Sequence, residues 1–103
     1  MNYKLIKELK TKSGQVFPPG FSFNITVLEK NPTIAILEKD DFKLSIKSHR
    51  LHVYFEGFDY INMDIIESAM MDRECLSLTG DSVEPDGWDE KGFPSMLMAC
   101  GLC

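Results

Sequence analysis

No apolar run in the 103 residues approaches the ~20 that a bilayer-spanning helix needs. Membrane-spanning helices are therefore not expected. Cysteines are few: Cys75, Cys100 and Cys103, an odd number with two at the very end. They do not make a disulfide framework, and the expectation is a reduced, cytoplasmic protein. The opening MNYKLIKELK has charge but no continuous apolar segment, so it does not read as a signal peptide. Gly80, Gly87 and Gly92 are dispersed among acids, which excludes a phosphate-cradling loop. No serine nucleophile motif is present, and Cys75 has no adjacent base. An enzyme is not expected.

What is present is enough apolar material for one small core. At 44% hydrophobic and 11% aromatic residues the chain reads as globular, not disordered. Its length suits a single domain over 1–103. Charge is divided unevenly along it. Residues 1–55 carry nine Lys/Arg against five Asp/Glu, and residues 56–103 carry two against eleven. Either the acidic half docks on the basic half, or an acidic face is aimed at a basic partner.

The first half, 1–57, reads as antiparallel strands. In FSFNITVLE, Phe21, Phe23, Ile25 and Val27 alternate with Ser22, Asn24 and Thr26, the period of a half-buried strand. TIAILEK follows the turn pair Asn31-Pro32. FKLSIKS places Phe42, Leu44 and Ile46 on one side and Lys43, Ser45 and Lys47 on the other. The short polar link Lys39-Asp40-Asp41 predicts a hairpin between these two strands. YKLIKELK reads as a first strand, with Pro18-Pro19-Gly20 turning the chain into the next. Four strands with short turns close their edges most cheaply by curling into a small barrel. The predicted core is Phe21, Phe23, Ile25, Val27, Ile34, Ile36, Phe42, Leu44 and Ile46.

The second half, 58–103, reads as helical and acidic. Ile65, Ile66, Ala69, Met70, Arg73 and Leu76 recur at spacings of three and four, predicting one main helix over about 62–78. Asn62 would cap its start, with Asp64 in the first turn and Gly80 at its end. Pro94 opens a short closing helix in PSMLMACG, ended by Gly101.

Two segments carry a resemblance. YKLIKELKTKSGQVFPPGFSF, with its Lys-rich first strand, Ser-Gly turn and Pro-Gly entry, resembles the SH3-like small barrels common in bacterial and phage proteins. VEPDGWDEKGFPSMLMACGL resembles a closing motif of small phage and mobile-element proteins, from which it departs at Met96, where an aromatic is expected. The resemblance implies an SH3-like barrel followed by helices. It also implies a non-enzymatic interaction protein, concretely an inhibitor of a host nucleic-acid-targeting defence system.

The residues expected to meet a partner with a basic patch are Glu84, Asp86, Asp89, Glu90 and Trp88. The acids would stay solvated, while Trp88, Phe93, Leu97 and Met96 lie against the barrel or helix as a plug. His49, His52, Cys100 and Cys103 have the chemistry of a tetrahedral zinc site. Their pairs use a short two-residue spacing, and packed thiols with no metal or cofactor are the expectation. Asp81, Glu84, Asp86 and Asp89 lack the ligand alternation of a calcium loop. Lys4, Lys7, Lys10, Lys12, Lys43, Lys47 and Arg50 would line one barrel face, with Tyr3 and Tyr54 available to stack on bases. The acidic half argues against nucleic acid, since its charge acts over a Debye length of ~8–10 Å. A small nucleic-acid-binding or regulatory module is the alternative.

Overall fold

The computed structural model describes residues 2–72 and 75–102. β1 (Asn2–Lys4), β4 (Ser22–Leu28), β5 (Asn31–Lys39) and β6 (Phe42–Lys47) form an antiparallel sheet in the order β1-β4-β5-β6. β2 (Leu9–Lys10) and β3 (Val16–Phe17) pair as a separate ribbon. A 3₁₀ turn at Ser48–Arg50 runs into α1 (Leu51–Tyr54). There follow α2 (Met63–Asp72), the hairpin β7 (Cys75–Leu76) with β8 (Ser82–Val83), and α3 (Met96–Ala99). The class is α+β, mostly antiparallel strands with a few short helices.

A closed SH3-like barrel is not formed. The sheet is open, with β6 at one edge and β1 at the other, and β1 is extended only by an isolated bridge from Leu5 to Phe55. The reason lies in the first segment. Leu5 and Leu9 are both buried, four residues apart. One continuous strand keeping Tyr3 and Leu5 inward would also turn the Lys7 ammonium inward, so the strand breaks between Leu5 and Leu9. Leu9 then enters the core from the ribbon.

The hairpin at Asp40-Asp41 forms as expected, with Lys39 opposite Phe42. The face of β5 is the reverse of the expected one. Ala35 and Leu37 are fully buried, while Ile34 and Ile36 are half-exposed on the other side. Register explains this: Ile25 and Leu44 oppose Leu37, and Val27 and Ile46 oppose Ala35, so these residues share one face. Pairing between β4 and β5 shifts register after Val27, since Val27 opposes Ala35 and Leu28 opposes Asn31. Pro32 sits in that irregularity, where a missing N–H costs no ladder bond. Leu37→Ala is expected to lower stability by about 2–5 kcal/mol. Ile36→Ala should cost roughly 1 kcal/mol, because only part of its side chain leaves water. Urea titrations of the two variants check the order.

The buried residues form two clusters. The larger gathers Leu5, Leu9, Phe17, Phe23, Leu37, Leu51, Phe55 and Phe93 with others. The smaller joins Ile66 and Ala69 of α2 to Cys75, Met96 and Leu97. α3 straddles both, since Ala99 belongs to the larger.

α2 starts where expected, with Asn62 Oδ1 accepting the Ile65 N–H at 2.9 Å. Its described part ends at Asp72, not 78; Arg73, in the predicted stripe, lies outside the described residues. Cys75 and Leu76 belong to β7, not to the helix, and Gly80 closes a turn with its N–H on Ser77 O at 3.0 Å. Ser77 is the cause: its buried hydroxyl is committed to partners further along the chain, as described below. Among the described residues no helix is long and apolar enough to cross a membrane.

Candidate functional site

The segment from Glu84 to Leu102 is held by its own polar side chains. Gly87 donates its N–H to Glu84 O at 2.8 Å, a turn so tight that a Cβ at Gly87 would lie 3.1 Å from the Glu84 backbone. Trp88 then bridges to Pro94, enclosing residues 89–93. Ser95 then caps α3: its Oγ accepts the Met98 N–H at 3.1 Å and donates to Pro85 O at 2.5 Å. Pro94 therefore precedes the cap and is not the first helical residue. Gly101, at φ 76°, ends the helix as expected, donating its N–H to Met98 O.

The plug half of the expectation holds. Phe93, Met96 and Leu97 are buried and Trp88 is half-buried against the larger cluster. Phe93 meets Tyr3 and Phe58 edge-on, with ring centroids at 5.6 Å and 5.1 Å.

Asp89 departs from the solvated rim expected of it. Its Oδ2 accepts from Ser77 Oγ at 2.7 Å and Thr79 Oγ1 at 2.6 Å, and its Oδ1 accepts the N–H groups of Lys91 and Phe93, each at 2.9 Å. Burial works against the charged carboxylate, but the bonds from Thr79, Phe93, Ser77 and Lys91 together outweigh it and hold the pKa below the ordinary value. Asp89 is a structural anchor. Glu84, Asp86 and Glu90 are exposed, as expected.

The structure brings Trp88, Asp89 and Glu90 together with Asp81 around a shallow cavity of about 350 Å³; Glu84 and Asp86 lie outside its lining. Lys91 pairs with Asp81 at 3.4 Å. With two donors on each oxygen, Asp89 is a poor ligand for calcium. Among the described residues no cluster of three or more His, Cys, Asp or Glu is arranged to hold a metal.

His49 and His52 lie on the 3₁₀ turn and α1. With Cys100 they line a cavity of about 620 Å³, while Cys103 lies outside the described residues. Burial, and then neighbouring His49, lowers the His52 pKa; burial, and then Cys75, raises that of the Cys100 thiol. Cys75 and Cys100 are free thiols.

The cations gather more tightly than the sequence indicates. Lys10, Lys12, Lys43, Lys47 and Arg50 line one groove with Tyr54, between β6 and the turn that joins β2 to β3. Lys4 and Lys7 are not in its lining, and Lys7 Nζ instead sits 4.7 Å from the Tyr54 ring centre. The expected grouping on one face thus holds for Lys10, Lys12, Lys43, Lys47 and Arg50, while the separate ribbon that carries Lys10 was not foreseen. Among the described residues no Lys or Arg of the first half forms an ion pair with an acid of the second. Comparison with protein-family models, curated proteins and solved structures finds no match to the chain.

Proposed function

We propose that this chain acts by binding, not catalysis, and that its acidic C-terminal surface receives a basic patch of a partner protein. One observation carries the reading. Glu84, Asp86 and Glu90 are exposed on a loop fixed by the Ser95, Gly87 and Asp89 hydrogen bonds, and among the described residues no cation of the first half is paired to them. A loop held in one shape loses little entropy on binding. Unpaired carboxylates would steer a basic partner in and make association weaken with salt. The resemblance of VEPDGWDEKGFPS to phage and mobile-element proteins makes a cytoplasmic inhibitor of a nucleic-acid-targeting defence system the concrete version.

An SH3-like strand order belongs to the same proposal. In its favour are the ribbon after β1, the 3₁₀ turn after β6 and the bridge that brings Phe55 to Leu5. The alternative, a nucleic-acid-binding or regulatory module, has the cationic groove in its favour.

The test is the variant Glu84→Lys/Asp86→Lys/Glu90→Lys, which leaves Asp89 in place. It should unfold at the wild-type urea midpoint. Cross-linking and mass spectrometry should recover a basic partner with the wild type, lost as salt rises, and absent with the variant. A folded variant that retains the same partner ends the proposal.

A further inference from the structure

The cationic groove runs along the free edge of the sheet. β6 is the last strand, so half of its N–H and C=O groups point away from β5. Among the described residues none of the hydrogen bonds outside the sheet uses the backbone of residues 42–47. The opposite wall is the β2–β3 turn, stiffened by Thr11, which takes the Gln15 N–H on its Oγ1 at 3.1 Å and donates its own N–H to Gln15 O at 2.8 Å. Phe17 packs on Phe42 with ring centres 4.9 Å apart, pinning the ribbon to the start of β6. Further along, a cavity of about 650 Å³ separates the two walls. The edge of β6 is thus left open toward the ribbon.

We infer that this gap binds an extended acidic segment of a partner protein, which adds as a strand to the edge of β6. Main-chain bonds to β6 would supply pairing, and alternate side chains would supply selectivity. Inward residues of the added strand would cover the half-buried Leu44 and Ile46. Outward ones would stand near Lys43 and Lys47, which are exposed, with Lys10, Lys12 and Arg50 around them. The fitting sequence therefore alternates apolar and acidic residues, over about 15–20 Å at the ~3.3 Å rise of a strand. Among the described residues no acid lines the groove to oppose it.

The aromatic side chains distinguish this ligand from single-stranded nucleic acid, which needs free ring faces to stack on. Tyr54 has Lys7 Nζ at 4.7 Å and the Arg50 guanidinium at 5.8 Å over its ring. Phe42 is turned into the Phe17–Phe23 cluster. Both rings are thus already engaged by side chains of this chain. This site is separate from the acidic surface and stands or falls without it.

The test titrates the full chain with a short fluorescent peptide of alternating glutamate and valine, read by anisotropy. Controls are the same peptide with its edge-facing amides N-methylated, a lysine–valine peptide and a labelled oligothymidylate. The glutamate peptide should bind and shift the amide resonances of residues 43–47. N-methylation and Lys43→Glu/Lys47→Glu should each weaken it about tenfold or more. Circular dichroism checks the variant's fold, and N-methylation tests the wild type itself. No binding at about millimolar peptide overturns the proposal. So does equal binding of the N-methylated or lysine peptide, or binding of oligothymidylate in preference.

Discussion

Phe93→Ala is expected to lower the unfolding free energy by about 3–5 kcal/mol, a loss that urea denaturation would read. Phe93 is 1% exposed, and its ring is held edge-on between Tyr3 of β1 and Phe58 beyond α1. Tyr3 also meets Phe58 directly at 4.9 Å, so the three rings make a closed set. Removing the middle ring leaves a cavity that two aromatic neighbours cannot fill by small shifts. A domain of this size has about 5–15 kcal/mol in all, so one ring is a large share of it. Phe93→Leu, which refills most of the volume, should recover a good part of the loss. If Phe93→Ala changes stability by less than about 1 kcal/mol, the C-terminal segment does not plug the core as described.

Asp89→Ala is expected to cost about 3 kcal/mol, although the residue is only half-buried and looks like a surface acid. Deleting its carboxylate strands two hydroxyls and two backbone N–H groups at once, and part of that loss is recovered by water. Asp89→Asn keeps one carbonyl for the two N–H groups, and the hydroxyls can rotate to accept from its amide. It should cost about half as much. The pair also has a pH signature. The pKa of Asp89 in the folded chain is below its ordinary 3.8, so unfolding below about pH 4 takes up a proton. The stability from this carboxylate is complete above about pH 4 and is lost as pH falls through the folded value. The difference between wild type and Asp89→Asn should therefore shrink in acid. A difference that stays constant down to pH ~3 would show that the charge of Asp89 contributes nothing.

Asp89 also shows where the sequence stops being informative. Its partners Ser77 and Thr79 stand twelve and ten residues upstream, in a stretch whose spacing suits a helix. Nothing local separates a carboxylate that faces water from one that collects four donors. β4 was legible because its alternation of apolar and polar residues has one solution. β5 was not, since Ile34, Ala35, Ile36 and Leu37 are apolar on both faces and only pairing with β4 decides which pair turns inward. The Asp40-Asp41 hairpin and the Asn62 cap were legible because each is settled within a few residues. The open sheet was not, because it depends on Lys7 breaking the first strand. Lys10, Lys12, Lys43, Lys47 and Arg50 could be grouped on one face, but the ribbon that makes the groove's opposite wall could not be read, because only tertiary packing positions it.

The uncovered side of β6 bears on self-recognition. A bare strand edge is a template for a second copy of itself, and chains that carry one are prone to zip together. Here the zipper is discouraged by its own symmetry. Two β6 strands paired antiparallel about Ser45 would set Lys43 of each copy opposite Lys47 of the other, and like charges facing across an antiparallel pair destabilise it. The lysines that would favour a strand of opposite charge thus disfavour this pairing of the edge with its twin.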